Sequence, residues 1–470
     1  MRFFAATGLG LVLAGPAGAQ SPLSDTTRSY VSVDAPVVAL TNATVIDGSG
    51  RPAVPGLTII LSAGRIQAVG PAATVTPPQG ARVIDLSGHT VIPGIVGMHN
   101  HTFYTTAAGR RSQLNTSAPR LYLGSGVTTI RTTGSISPYA EISLKEQIEA
   151  GEVPGPRMHI SGPYLTGPDA VVERKHITTP DQARRVVDYW ADEGATWFKV
   201  YTEISRENLK AITDAAHRRG VKVTGHLCSV GYREAVEAGI DALEHGLMAN
   251  LEYHPDKQPD RCPGRDLATY AGLDVNSEAV QSTFRSMVAK GVPMTSTLAV
   301  YEISIPNRPP LDPRTLEAMS PDVRAEYLAT RQQLAAQPGP SLALAAFKKA
   351  MQYERAFVKA GGLLAAGVDP TGNGGALPGY GDQRNFELLV EAGFSPEQSI
   401  QIMSANGAKV LGAADLGLVA PGKTADLVVV RGDLVARPGD IRNVVTVFKG
   451  GIGYDSGKLL GSVKGLVGIR

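Results

Sequence analysis

Between residues 91 and 369 short apolar runs alternate with amphipathic stretches, and this alternation leaves few architectures open. The runs occupy residues 91–101, 127–131, 157–161, 197–201, 221–226, 242–245, 292–297 and 363–369. Each is short enough for a strand buried on both faces, and the stretches between them carry the charged and small residues of crossover helices. Residues 206–219, for example, set Leu and Ala among charges and meet Gly220, a stop signal. Eight such units predict an α/β fold closed into a (β/α)8 barrel of the TIM type. The segments around 248–277 and 302–340 are longer than ordinary βα connections and read as insertions over the barrel mouth.

The flanks have a different texture. Residues 37–40, 43–48, 57–61 and 65–70 are β-rich runs broken by turns, and similar runs return at 425–430 and 444–449. Strands from both termini are therefore expected to form one small β-sandwich, in two parts (20–92 and 419–470), around a barrel at 93–418. Pro93-Gly94 and Pro421-Gly422 punctuate the boundaries. Residues 1–19 read as a signal peptide: Met1-Arg2, an apolar stretch over 3–14, then Ala17-Gly18-Ala19 before Gln20. That stretch is too short to span a bilayer, and no later one is long and apolar enough. Cleavage between Ala19 and Gln20 would give a secreted or periplasmic protein without stable membrane insertion.

Charge excludes another class of partner. With 45 Lys+Arg against 43 Asp+Glu and no long run of one sign, nothing in the chain is suited to follow a nucleic acid. The 53 Gly and 32 Pro are spread among apolar segments, as in a globular protein with many tight loops. Cys228 and Cys262 can pair in an oxidising compartment or remain two thiols, and the sequence leaves both readings open. Neither sits in a nucleophile's context, and no G-x-S-x-G elbow is present.

The chemistry lies where the apolar runs end, because a barrel of this kind carries its active site at the carboxyl ends of its strands. His99 and His101 close the first run, and their i, i+2 spacing turns both imidazoles to one face. Lys199 follows Ala195-Thr196-Trp197-Phe198, where an ammonium is costly to bury and tends to lose its proton. A neutral lysine can take up carbon dioxide as a carbamate, whose two oxygens can bridge metal ions. His226 lies 27 residues after Lys199 and His245 a further 19 on, each spacing fitting one βα repeat. Asp369 ends Leu363-Leu364-Ala365-Ala366-Gly367-Val368. Six metal-capable side chains at the tips of five strands point to two divalent metal ions. Tyr104, Arg131, Tyr164, His176 and Tyr201 are the candidate substrate contacts, with Arg131 suited to a substrate carboxylate or, alternatively, to an internal ion pair.

In this order the chain resembles the amidohydrolase superfamily, and within it the imidazolonepropionase-related and prolidase-like amide hydrolases. The resemblance rests on the split β-domain, on Val91-Ile92-Pro93-Gly94-Ile95-Val96-Gly97-Met98-His99-Asn100-His101, on the Lys199 strand, on Glu244-His245-Gly246 and on Gly367-Val368-Asp369-Pro370. It implies that His99, His101 and Asp369 hold the buried metal, that His226 and His245 hold the exposed one, and that carbamylated Lys199 bridges them. It also implies a homo-oligomer, and packing of a helix at Ser404-Ala405-Asn406-Gly407-Ala408. One departure stands out: Gly97 occupies a place where the family usually has Asp, in the shell behind the ligands.

The expected reaction is attack of a metal-bridging hydroxide on an amide or peptide-like bond, in a dipeptide, an N-acyl amino acid or a related small-molecule amide. Asp369 would act as catalytic base and then acid. Zinc suits the donor set, as manganese, iron or nickel also can. Esters and lactones are a near variant, and a one-metal deaminase or cyclic-amide hydrolase a further one that Lys199 argues against. A metal-binding protein without turnover is the non-enzymatic alternative.

Overall fold

A computed structural model describes residues 22–168, 175–337, 339 and 341–468. The expected signal peptide at residues 1–19 lies outside the described residues. Eight parallel strands form the barrel: β1 (Ile95–Asn100), β2 (Val127–Thr132), β3 (in two segments, Arg157–His159 and Ser161–Thr166), β4 (Trp197–Val200), β5 (Lys222–Gly225), β6 (Ala242–Glu244), β7 (Met294–Ser296) and β8 (Leu364–Ala366). They pair in chain order, and the seam between β8 and β1 closes where the Asp369 N–H donates to the His99 carbonyl at 2.8 Å. All eight predicted strands are present, although the first and third are cut. The run at 91–101 divides at Gly94, because His89–Pro93 pairs with Leu427–Arg431 outside the barrel. A Cβ at Gly94 would lie 2.1 Å from the Thr128 hydroxyl, so only glycine lets the chain turn from one sheet into the other there. The third strand breaks at Ile160, its first segment pairing with β2 and its second with β4.

The crossovers are helices whose ends the sequence specifies. Arg206–Arg218 starts at Ser205, whose hydroxyl accepts from the Asn208 N–H, and stops before Gly220 at φ +68°. Its apolar stripe, Leu209, Ile212 and Ala216, is buried, following the 3.6-residue period. Asn406 and Gly407 fasten the helix Ala405–Leu411 to the barrel, the Asn406 amide donating to the Leu364 carbonyl at 2.7 Å and Gly407 lying against Val96.

Strands from both termini join one continuous nine-stranded sheet, in which Leu427–Arg431, Val444–Lys449 and Ile452–Asp455 continue the N-terminal strands. Alternate residues such as Ile59 and Leu61, or Leu427 and Val429, face a common core with Val91 and Phe448. The Ile66 N–H donates to the Lys423 carbonyl, and the Gly422 N–H to the Ile66 carbonyl, which ties the far edge back to the other half.

The two insertions behave differently from each other. The first, after β6, is stapled by a disulfide between Cys228 and Cys262, which resolves the question that the sequence leaves open. The second sends only its beginning over the barrel mouth. Its later helices, Pro313–Ala318 and Pro321–Ala335, lead back to the C-terminal segment, where the Gly465 N–H donates to the Glu317 carbonyl and Met319 bridges to Val467.

Candidate metal centre

Closing the barrel assembles the centre. The bond from Asp369 to His99 across the seam requires close approach, and a Cβ at Gly367 would stand 2.2 Å from the His99 nitrogen. With glycine there, the Asp369 carboxylate lies between two imidazoles: Oδ2 is 3.6 Å from His99 Nε2 and Oδ1 is 3.4 Å from His101 Nε2. One donor atom from each of the three residues lies within 4.8 Å of the others. Asp369 and His245 adopt left-handed backbone conformations, φ +49° and +68°, an unfavourable state for L-residues that here aims both side chains inward.

The imidazoles are oriented from behind. His99 gives its Nδ1 proton to Glu244 Oε2 at 2.7 Å, and His101 gives its own to the Gly134 carbonyl at 3.2 Å, so each turns a bare Nε2 toward Asp369. The other Glu244 oxygen accepts from Arg131 and Thr224. Burial opposes charge on Glu244, but Arg131 and then His99 outweigh it and hold the carboxyl well below its usual range. His245 places Nδ1 2.7 Å from the Thr297 hydroxyl, while its Nε2 is buried without a hydrogen-bond partner among the described residues. Burial lowers His99 to about 4. Burial likewise pushes His226 and His245 well below the usual histidine value. These three imidazoles are thus neutral near pH 7, the form that binds metal.

The remaining candidates meet in the same cavity of about 320 Å³. Lys199, fully buried on β4, lines it together with His99, His226, His245 and Asp369. The His226 and His99 rings each stand 4.4 Å from that of His245. Tyr164 and Tyr201 line it too, with the Tyr164 hydroxyl 3.4 Å from His101 Nε2 and the Tyr201 ring 4.7 Å from His226.

Three expected substrate contacts need correction. Arg131 is wholly buried, donates to the Met98 carbonyl and to Glu244, and lies 4.4 Å over the Trp197 ring, so the alternative of an internal ion pair holds. Tyr104 points out of the cavity, donating to the Gly374 carbonyl at 2.6 Å, and its neighbour Phe103 takes the lining place. His176 pairs beside Thr166 in the short strand Lys175–His176 and is not part of the cavity wall. Sequence reasoning in turn missed Glu244 as an orienting group, although it stands beside His245, and missed Arg265, which reaches the cavity from the first insertion, and Tyr301, which reaches it from the short helix Leu298–Glu302 after β7. The departure at Gly97 has a steric account. A Cβ there would lie 2.3 Å from the Asn100 amide, which donates to Asp382 at 3.3 Å while its oxygen accepts from the Val368 N–H at 3.2 Å. Asn100 thus fills the space beside residue 97 and ties β1 to the segment after β8.

A (β/α)8 barrel whose strand tips gather four histidines, a lysine and an aspartate, with bare imidazole nitrogens aimed inward, fits a divalent metal ion and defines a metal-dependent hydrolase barrel. Residues 90–453 match the Amidohydrolase family model, and the chain belongs to that family, hydrolases of carbon–nitrogen bonds. Among solved structures it is similar to a candidate prolidase from Bifidobacterium longum, with 26% identity over 91% of this chain and 98% of that one and a TM-score of 0.65. A Xaa-Pro dipeptidase with methionine bound in its active site matches at 21% identity, covering 89% and 100%, with a TM-score of 0.67. A bottromycin amidohydrolase matches at 20% identity, covering 94% and 95%, with a TM-score of 0.68. No curated protein matches the chain.

Proposed function

We propose that this chain is an exported amide hydrolase with two divalent metal ions, zinc first among them, that cleaves a dipeptide, an N-acyl amino acid or a related amide. The observation that carries the reading is Lys199, fully buried in a cavity wall shared with His99, His226, His245 and Asp369. In this reading His99, His101 and Asp369 would hold one ion, and His226 and His245 would hold the other. Lys199 would serve both sites as a carbamate, formed when its deprotonated amine attacks carbon dioxide and the adduct releases a proton. Bound metals would supply a water activated near neutral pH and polarisation of the scissile carbonyl.

The chain's own residues do the rest. Asp369, on the cavity wall beside His99 and His101, accepts the proton of the attacking water and delivers it to the departing amine. Glu244 keeps the His99 ring turned toward Asp369. Tyr164 and Tyr201 flank the substrate, and Tyr301 closes over it from the helix Leu298–Glu302 after β7. The dipeptide class is favoured by likeness to a candidate prolidase and a Xaa-Pro dipeptidase. Export, with cleavage between Ala19 and Gln20, and assembly into a homo-oligomer belong to the same proposal. N-terminal sequencing and light scattering test them.

The decisive experiment is a panel of dipeptides, N-acyl amino acids, esters and lactones offered to the zinc-loaded full chain, with amine or acid release followed chromatographically. Amine release from at least one amide is expected. Turnover of esters or lactones alone, or of nothing with metal bound, overturns the amide assignment.

A further inference from the structure

Among the described residues that line the cavity only Asp369 is a carboxylate, and His99 and His101 stand beside it. Arg265 faces it from nearer the surface. A guanidinium at the mouth of a cleft favours an anion there, and low-dielectric walls strengthen the preference. Arg265 is the cation placed to exploit it. Its side chain is exposed at the rim, with the guanidinium carbon 5.4 Å from the Tyr301 ring centroid, and no carboxylate of the described residues pairs with it. The first insertion that carries it is not a loose loop. Cys262, three residues earlier, is bonded to Cys228, two residues after His226, so the guanidinium is held within reach of the strand tips. Arg131, by contrast, spends its charge on Glu244 inside the barrel.

We propose that Arg265 receives a carboxylate of the substrate, so that the enzyme selects amides bearing a free carboxylate near the scissile bond, such as dipeptides with an unblocked C-terminus and N-acyl amino acids. The inference rests on the amide-hydrolase reading and narrows it. A guanidinium presents two parallel N–H donors to a carboxylate, a match that a primary amide cannot reproduce because one of its two heavy atoms is itself a donor. Tyr301 stacks against the guanidinium and limits its rotamers before substrate arrives.

The test offers each N-acyl amino acid and dipeptide as free acid and as C-terminal primary amide, with cleavage followed at the same internal bond. The free acid should be preferred in kcat/KM by roughly 10- to 100-fold, the range of a charge-assisted contact. In Arg265→Ala that preference should collapse toward parity, and Arg265→Lys should keep part of it. A ratio of preferences is insensitive to how much of the variant is folded, which separates recognition from mere stability. Equal use of acid and amide by the natural chain, or an unchanged preference in Arg265→Ala, overturns the inference while leaving amide hydrolysis standing. If no amide is cleaved, the functional reading fails instead, and calorimetric binding of N-acetyl-L-leucine against its primary amide decides the matter of Arg265. Tighter binding of the acid, lost in Arg265→Ala, supports it, and equal binding sinks it.

Discussion

The floor of the cavity and its rim are built by opposite means. On the floor, His99, His101, Lys199, His226, His245 and Asp369 stand at strand tips, where parallel pairing fixes each backbone and neighbours such as Glu244 and Thr297 fix the rings. On the rim, Arg265 comes from the first insertion and Tyr301 from the short helix after β7, held by one disulfide and short helices and paired with each other by a cation over a ring. A scaffold tolerates little displacement at a metal ligand, whereas a connection between strands can change length without disturbing the barrel. The difference separates chemistry from choice of substrate: damage to the floor should abolish turnover, and damage to the rim should redirect it.

Each side of that comparison can be broken in turn. Asp369→Asn removes the proton carrier and a metal donor together, and turnover should fall by roughly 1000-fold or more, within the range of lost acid–base catalysis. Circular dichroism should show the barrel intact, and a loss of under tenfold would contradict the role. Removing the staple with Cys228→Ser and Cys262→Ser should cost about 2–4 kcal/mol of stability by chemical denaturation. It should also weaken the preference for free acids while metal content holds, and coupled loss of metal would mean that floor and rim are one unit. Glu244→Gln leaves the His99 proton facing a neutral partner and strands Arg131, so metal affinity in a chelator competition should drop by about 10- to 100-fold. Unchanged affinity would show that His99 needs no support from behind. The smallest effect is expected from Tyr104→Phe, which deletes the bond to the Gly374 carbonyl and should lower stability by about 1 kcal/mol with KM unmoved. A large rise in KM would return Tyr104 to the substrate side.

What could be read from the sequence follows the same division. A strand buried on both faces is a short apolar run, so a polar residue ending such a run is conspicuous, and the six strand-tip residues stand out for that reason. Direction is harder to read. Phe103 and Tyr104 are adjacent, strand alternation sends one into the cavity and one away, and nothing in the sequence says which. Arg131 stands open in the sequence between a substrate carboxylate and an internal ion pair. Its partner Glu244 is 113 residues away, and only the closed barrel brings them together. The cut at Gly94 is hidden because apolar residues run on through two different sheets. Arg265 was illegible because the first insertion has no period and only its unusual length marks it out, and the Cys228–Cys262 pairing is one of two readings the sequence leaves open.

The central claim is that the strand tips gather two metal ions around Lys199. Elemental analysis of the purified full chain, alongside Lys199→Ala prepared identically with zinc and bicarbonate, tests it most directly. The account predicts about two equivalents in the natural chain and a clear loss in the variant, as a bridged pair of ions requires. Equal metal content and equal turnover in the two proteins would contradict it.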